Sequence, residues 1–301
     1  MISLKQLIYA LAGERTLHFK KAAELCAISP SALSTSLAEF EKQLGFSVFE
    51  RDNKKVLITA LGQQVLDKAK AIKLLTDDLQ HLSDTQKAPL TGPMSIGIIP
   101  TISPFLLPVI LPALQNNYAA LELAVSEEQS HVLVEQVRRG DLDVAILALP
   151  YNIDGLLSFV FWQEDFYWVT HKQDKMATLN SIHTNEFDAD KLMLLKEGHC
   201  LKDHALAACK LTSSAPHSLN ATSLATLVQL VAGKMGSTLV PEMALESLVE
   251  HNPNLKTIPL AEKGPHRKIA FIVRPNYPVV KNIEILMALF SKEMKNNINT
   301  H

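Results

Sequence analysis

The stretch FKKAAELCAISPSALSTSLAEFEKQLG, positions 19–45, decides how the first part of this chain folds. Ser29-Pro30 is a helix start: the serine hydroxyl can accept from a first-turn amide, and proline at the first helical position lacks only an amide that would go unbonded there. The helix it opens runs to about Leu44, where Gly45 can cap it, and Leu33, Leu37, Phe40 and Leu44 mark its buried stripe. A shorter helix fits Phe19 to Cys26, with Ala22, Ala23 and Leu25 apolar and Cys26 on the same apolar face as a core residue. Before it, Leu4, Leu7, Ile8 and Leu11 repeat at helical spacing. Two short helices and a tight junction before a third read as a helix-turn-helix.

Working outward, Val48–Arg51 and Lys54–Thr59 alternate as two short strands around a basic turn, a wing. Thr59 then caps a long helix, about Ala60 to Leu82, with Leu61, Val65, Ala69, Ile72, Leu75 and Leu79 apolar. Spacings of three and four over that length suit a helix that packs on a partner helix. The reading is thus a winged helix-turn-helix over 1–59, a dimerising linker helix over 60–83 and a polar hinge with proline and glycine over 84–93.

From Met94 the pattern changes. Short apolar runs at Ser95–Pro100, Leu121–Glu127, Val144–Leu149, Phe166–His171, Leu192–Leu195, Thr238–Val240 and Ile269–Arg274 alternate with helical patterns. That alternation predicts α/β units with mostly parallel sheets, and two groups of strands predict two small lobes over 94–301.

Composition narrows the function. The net charge of −2 carries no global nucleic-acid signature, although residues 1–83 sum to +2 and the remainder to −4. Three cysteines argue against a secreted disulfide scaffold. The start lacks a basic region followed by an apolar one, as a signal peptide would need. The apolar stretch Ile96–Leu114 is interrupted by Pro100, Pro104, Pro108 and Pro112, too often for a membrane span. A cytoplasmic protein with no membrane contact is expected, needing no cofactor and holding no metal.

The run Ala22-Ala23, Ser29, Ala32-Leu33-Ser34, Phe40-Glu41, Leu44-Gly45, Phe49-Glu50-Arg51, Thr59 and Gly62 resembles the N-terminal motif of LysR-type transcriptional regulators. IGIIPTISPFLLP (96–108), GHCLKD (198–203), the second cysteine at 209 and ATSL (221–224) are similar to the hydrogen-peroxide-sensing members of that family. The chain departs from the common pattern at Pro30-Ser31, at Ala38, which stands near a frequent arginine, and at Ser218, which stands where those members have histidine. The resemblance implies an α/β effector domain of two lobes, like periplasmic binding proteins, preceded by the all-α winged module and the linker helix. It further implies a chain that crosses twice between lobes, one of 94–162 plus 269–301 and one of 163–268.

The thiol chemistry follows. An ordinary thiol is mostly protonated at neutral pH and slow toward peroxide, so a sensor needs a stabilised thiolate. Cys200 has His199 before it and Lys202 after it, and a helix over Leu201–Cys209 would set it at a favourable N-terminus. By resemblance Cys200 is the peroxidatic cysteine and Cys209 the resolving one, passing through a sulfenic acid to a disulfide. Nine residues of continuous helix span roughly 13.5 Å, whereas a disulfide needs Cα atoms within about 7 Å. The segment must therefore unwind or move, and oxidation becomes a switch.

By the same resemblance, Thr101, Ser130, His199, Asp203 and Arg267 surround Cys200 and hold the peroxide. Thr101 and Ser130 also suit turn or cap chemistry, Asp203 a plain helix cap and Arg267 a surface ion pair. On the DNA side, Ser31, Ser34, Thr35 and Ser36 lie in the first turns of the third helix, where small hydroxyls meet base edges or phosphates. Lys20, Lys21, Arg51, Lys54 and Lys55 are placed to hold phosphates.

The sequence therefore predicts a peroxide-responsive activator of oxidative-stress genes rather than an enzyme. Its partners would be double-stranded promoter DNA, hydrogen peroxide, RNA polymerase and further copies of itself as a homodimer or homotetramer. Two alternatives stay open: a LysR-type regulator of a small metabolite in the interlobe cleft, and a thiol peroxidase.

Overall fold

The computed structural model describes residues 1–52, 55–84, 88–187, 191–196, 201, 204–205, 221 and 223–299. It divides into two compact units, Met1–Gln86 and Lys87–His301.

The first unit is built on local signals. Helices α1 (Leu4–Thr16), α2 (Phe19–Leu25) and α3 (Pro30–Leu44) each begin at a side-chain cap: Ser3, which forms a reciprocal capping box with Gln6, then His18 and Ser29. Gly45 ends α3 at φ +80°, a left-handed conformation that costs glycine nothing. Leu33, Leu37 and Phe40 of α3 pack with Leu7, Ala10, Ala22 and Ala23 into one core. The wing follows as β1 (Phe49–Asp52) antiparallel to β2 (Lys55–Ile58). Glu41 fastens it to α3, its Oε1 accepting from the Val48 and Phe49 amides at 2.7 and 2.9 Å. Helix α4 (Ala60–Asp84) is capped by Thr59, whose Oγ1 accepts from Gly62 N–H. A Cβ on Gly62 would lie 2.2 Å from the Val48 carbonyl oxygen, so only glycine lets α4 start against the wing.

The second unit holds two sheets. The larger runs β4 (Leu121–Glu127), β3 (Gly92–Ile98), β5 (Val144–Leu149), β10 (Arg267–Val273) and β6 (Leu157–Glu164) in spatial order. Helices α5 (Ser103–Asn117), α6 (Ser130–Arg139) and α8 (Val280–Asn299) complete that lobe. The smaller sheet runs β8 (Thr238–Pro241), β7 (Phe166–His171), β9 (Leu255–Pro259), with α7 (Leu224–Ala232) against it. Each lobe has its own apolar cluster. In α5 the prolines at 104, 108 and 112 are all exposed, four apart, while Leu106, Ile110 and Leu114 are buried. The apolar run thus divides into a strand and an amphipathic helix. Among the described residues no helix is long and apolar enough to cross a membrane.

Three expectations are corrected. The sheets are not mostly parallel: only β3 with β4 and β3 with β5 are, while β10 runs antiparallel to β5 and β6 and the smaller sheet is antiparallel throughout. Parallel pairing follows from helical crossovers, and β10 instead returns from the other lobe. Leu192–Leu195 forms isolated bridges, Leu192 to Ser237 and Leu195 to Ala221, rather than a strand, and β6 and β9 had not been anticipated. Finally, Glu164 still belongs to the larger sheet and Arg267 already does, so the crossings fall at Asp165 and His266. These two residues touch, His266 Nδ1 lying 3.1 Å from Asp165 Oδ1.

Candidate functional site

Two turns meet at the C-terminal edge of the larger sheet. After β3, the amides of Ile102 and Ser103 both donate to the Ile99 carbonyl, at 2.9 and 3.0 Å. The tight turn so formed buries Thr101, 3% exposed, just before α5. The parallel neighbour β4 leads to α6, whose first residue, Ser130, is 1% exposed. The Glu128 amide donates to the Ile98 carbonyl at 3.3 Å and joins the second turn to the first. Ser130 Oγ is buried without a hydrogen-bond partner among the described residues. A hydroxyl left so forfeits about 1–3 kcal/mol, and its place, outside the carboxyl ends of parallel strands, is where open α/β sheets take their ligands.

Arg267 enters this crevice from the crossing. It opens β10 directly opposite Glu164, the last residue of β6. Its Nε donates to Glu164 Oε1 at 2.5 Å. Nη1 reaches Thr101 Oγ1 at 3.4 Å, Nη2 the Thr101 carbonyl at 3.3 Å, and the guanidinium carbon lies 5.9 Å from the centre of the Phe166 ring. Both ionic side chains are 0% exposed. The ion pair foreseen as a surface alternative exists, but in the interior. A buried pair is held together because either partner alone would be an uncompensated charge in a low dielectric. Glu164 Oε2 is in turn occupied by the Met243 amide at 2.9 Å.

The structure therefore brings Thr101 and Arg267 into contact and sets Ser130 on the adjoining turn. His199, Cys200, Asp203 and Cys209 lie outside the described residues, as do Lys202 and Ser218. Of the segment between the cysteines, Leu201, His204 and Ala205 are described, and all three are buried. Their spacing of three and four is one face of a helix, with Leu201 and Ala205 in the apolar cluster of the smaller-sheet lobe. His204 Nε2 lies 2.8 Å from the Pro150 carbonyl oxygen, beyond β5.

Two contributors were missed by sequence reasoning. Glu164 stands 103 residues from Arg267 and carries no local mark of its role. His204 had one: it follows Leu201 by three positions, on the inward face.

Helix α3 presents Ser31 and Thr35 exposed, and Ser34 and Ser36 half-buried. Lys20 and Lys21 are exposed on α2. Arg51 is in β1 and Lys55 in β2, and Lys54 lies outside the described residues. Cys26 is half-buried against the first unit's core as a free thiol, and burial pushes it up from the ordinary thiol range.

Comparison with known proteins gives the same division of the chain. Residues 4–63 match the bacterial regulatory helix-turn-helix model of the lysR family, and residues 87–295 match the LysR substrate binding domain. The HTH-type transcriptional regulator EstR of Acinetobacter baylyi is 37% identical over 292 residues, 96% of each chain. The hydrogen peroxide-inducible genes activator of Haemophilus influenzae is 32% identical over 295 residues, 98% of each. Full-length OxyR from Pseudomonas aeruginosa superimposes with a TM-score of 0.81 at 28% identity, covering 96% of this chain and 95% of that one. A winged helix-turn-helix followed by a two-lobed effector unit, matched along nearly the whole length, places the chain among the LysR-family transcriptional regulators.

Proposed function

We propose that this regulator senses hydrogen peroxide through Cys200 and transmits the result to promoter DNA. The observation that carries the reading is the interior cluster of Thr101, Ser130 and Arg267, with one hydroxyl unmatched and one guanidinium pinned by Glu164. Such a cluster suits a molecule of two oxygens: hydroxyls accept and donate, and a fixed cation stabilises the charge that develops on the leaving oxygen. The Cys200 thiolate attacks one peroxide oxygen, the O–O bond breaks, and hydroxide leaves to be protonated to water. The resulting sulfenic acid is attacked by the Cys209 sulfur, forming the disulfide and releasing a second water. His199 and Asp203 complete the pocket around the thiolate. The chain acts in the cytoplasm, pairs through α4, and assembles as a dimer or tetramer. The first turns of α3 read base edges, and Lys20, Lys21, Arg51, Lys54 and Lys55 hold phosphates. The oxidised form recruits RNA polymerase to oxidative-stress genes.

Support comes also from the relative named for peroxide induction. A second reading, a small metabolite bound between the lobes, is favoured by the match to the LysR substrate binding domain, and EstR, at 37% identity, is not named for peroxide. One experiment separates them. Reduced protein is treated with low peroxide, any Cys200–Cys209 bond is mapped by mass spectrometry, and DNA footprints are compared before and after. A bond with a shifted footprint is expected. Absence of the bond, or an intact response in Cys200→Ser, overturns the peroxide reading.

A further inference from the structure

Between Pro30 and Phe40, helix α3 carries no arginine, lysine, histidine, asparagine or glutamine. Leu33, Leu37 and Phe40 turn into the core of the first unit. Thr35 lies two positions from both leucines, about 200° around the helix from each, and so stands opposite that core. It is exposed, as are Ser31, Ala32, Ala38 and Glu39 around it. The Ser31 hydroxyl is already engaged: its Oγ lies 3.0 Å from Ser29 Oγ, which also accepts from the Ala32 amide. The outward face is thus made of short side chains, several ending in methyl groups, with Thr35 at its centre. Ala38, near a frequent arginine of the family, belongs to it. From Ser31 to Ala38 this face rises about 10 Å, the length of about three base-pair steps.

We propose that Thr35 is a specificity-determining residue: through its methyl group, flanked by those of Ala32 and Ala38, this regulator selects thymine in its DNA half-sites. That DNA is the ligand of this unit follows from residues 4–63, which match the helix-turn-helix model of the lysR family. The inference rests on the reading that the first turns of α3 meet base edges in the major groove. There, guanine is read by a bidentate arginine or lysine, adenine by asparagine or glutamine, and thymine by apolar contact with its methyl group. The first two bases have no such reader on this part of α3, whereas thymine meets Ala32, Thr35 and Ala38. Glu39, the one long polar side chain of the stretch, is an acceptor, and guanine and thymine offer it only acceptors in that groove. Short side chains also let the helix approach the bases closely, which contact between methyl groups requires. The exposed Lys20 and Lys21 of α2 hold phosphates whatever the sequence, adding affinity without selection.

The test uses full-length protein with its cysteines reduced. Double-stranded sites are enriched from a random-sequence library by repeated rounds of binding. Affinity for the best-enriched site is then measured by fluorescence anisotropy at fixed salt. Each thymine is replaced, one at a time, by deoxyuridine, which lacks only the methyl group. At least one replacement in a half-site should weaken binding about fourfold, the effect of leaving one such group unburied. Thr35→Ser keeps the hydroxyl and loses the methyl. It should weaken binding to the unmodified site by a similar factor, and the critical deoxyuridine should then cost less than about twofold more. If no deoxyuridine weakens binding of the unaltered chain, the proposal is overturned while DNA binding stands. It is overturned as well if the critical deoxyuridine costs Thr35→Ser as much as it costs the unaltered chain, because another residue then reads that methyl. A library that yields no enriched sequence overturns it together with the reading of base edges by α3. Helical circular dichroism checks the variant, and should it not fold, the deoxyuridine series on the unaltered chain decides alone.

Discussion

Arg267 is the residue that ties Glu164 to Thr101 in the interior of the effector unit. Its guanidinium satisfies Glu164 and Thr101 at once. Arg267→Ala leaves the Glu164 carboxylate buried without a counter-charge, its one described hydrogen bond then coming from the Met243 amide, and loss of one member of such a pair costs about 3–5 kcal/mol. Urea unfolding of the variant should show that loss, and Arg267→Lys a smaller one, because an ammonium keeps the charge but not the fork. A loss under about 1 kcal/mol in the alanine variant would mean the pair is solvated. Cys26 gives the complementary case. A thiol raised by burial has a smaller thiolate fraction at neutral pH, and the thiolate is the nucleophile. In a Cys200→Ser, Cys209→Ser chain, iodoacetamide at neutral pH should therefore label Cys26 more slowly than a free cysteine peptide. The rate should climb as pH rises past the ordinary thiol range. Labelling at the peptide's rate would show that Cys26 is solvated.

At the scale of elements, α4 has two faces with different employment. Leu66 and Ala69 are buried in the winged core, and Lys70 Nζ reaches Glu14 Oε1 of α1 at 2.6 Å. Leu61, Ile72, Leu75 and Leu79 point away from that core, Leu75 being 54% exposed. An apolar face of this kind suits a partner helix. Leu75→Glu should shift the protein to a smaller species in sedimentation velocity without changing its helical circular dichroism. An unchanged sedimentation coefficient would place self-association elsewhere. The helices α1 to α4 were legible because their signals are local: a serine, a proline or a glycine acts on amides within four positions. The strands β6 and β9 were not. Leu157–Glu164 alternates only loosely, and what makes it a strand is pairing with β10, about a hundred residues later.

At the scale of the whole molecule, the proposed oxidation would act through the segment between the cysteines. Leu201, His204 and Ala205 are seated against the smaller-sheet lobe and the Pro150 carbonyl. A bond between Cys200 and Cys209 cannot form across a continuous helix, so the proposed oxidation must unseat that face. Amide hydrogen exchange at 201–205 should speed up after peroxide treatment and return on reduction. Equal exchange in both forms would remove the switch while leaving the fold untouched. The candidate site was only half legible for a related reason. Thr101 and Ser130 announce themselves at strand-to-helix turns, but the partner that fixes Arg267 does not.

What the sequence determined unaided is therefore the set of local decisions: that four helices follow in this order, that Ser29 opens α3 and Gly45 ends it, and that a wing follows Gly45. Their causes lie within a few residues, where spacing, capping and backbone freedom act before any long loop closes. Only the tertiary structure decided that Arg267 meets Glu164 and Thr101, 103 and 166 residues away. Those contacts need the chain to have crossed between lobes and returned, and burial then makes the pairing of their charges obligatory.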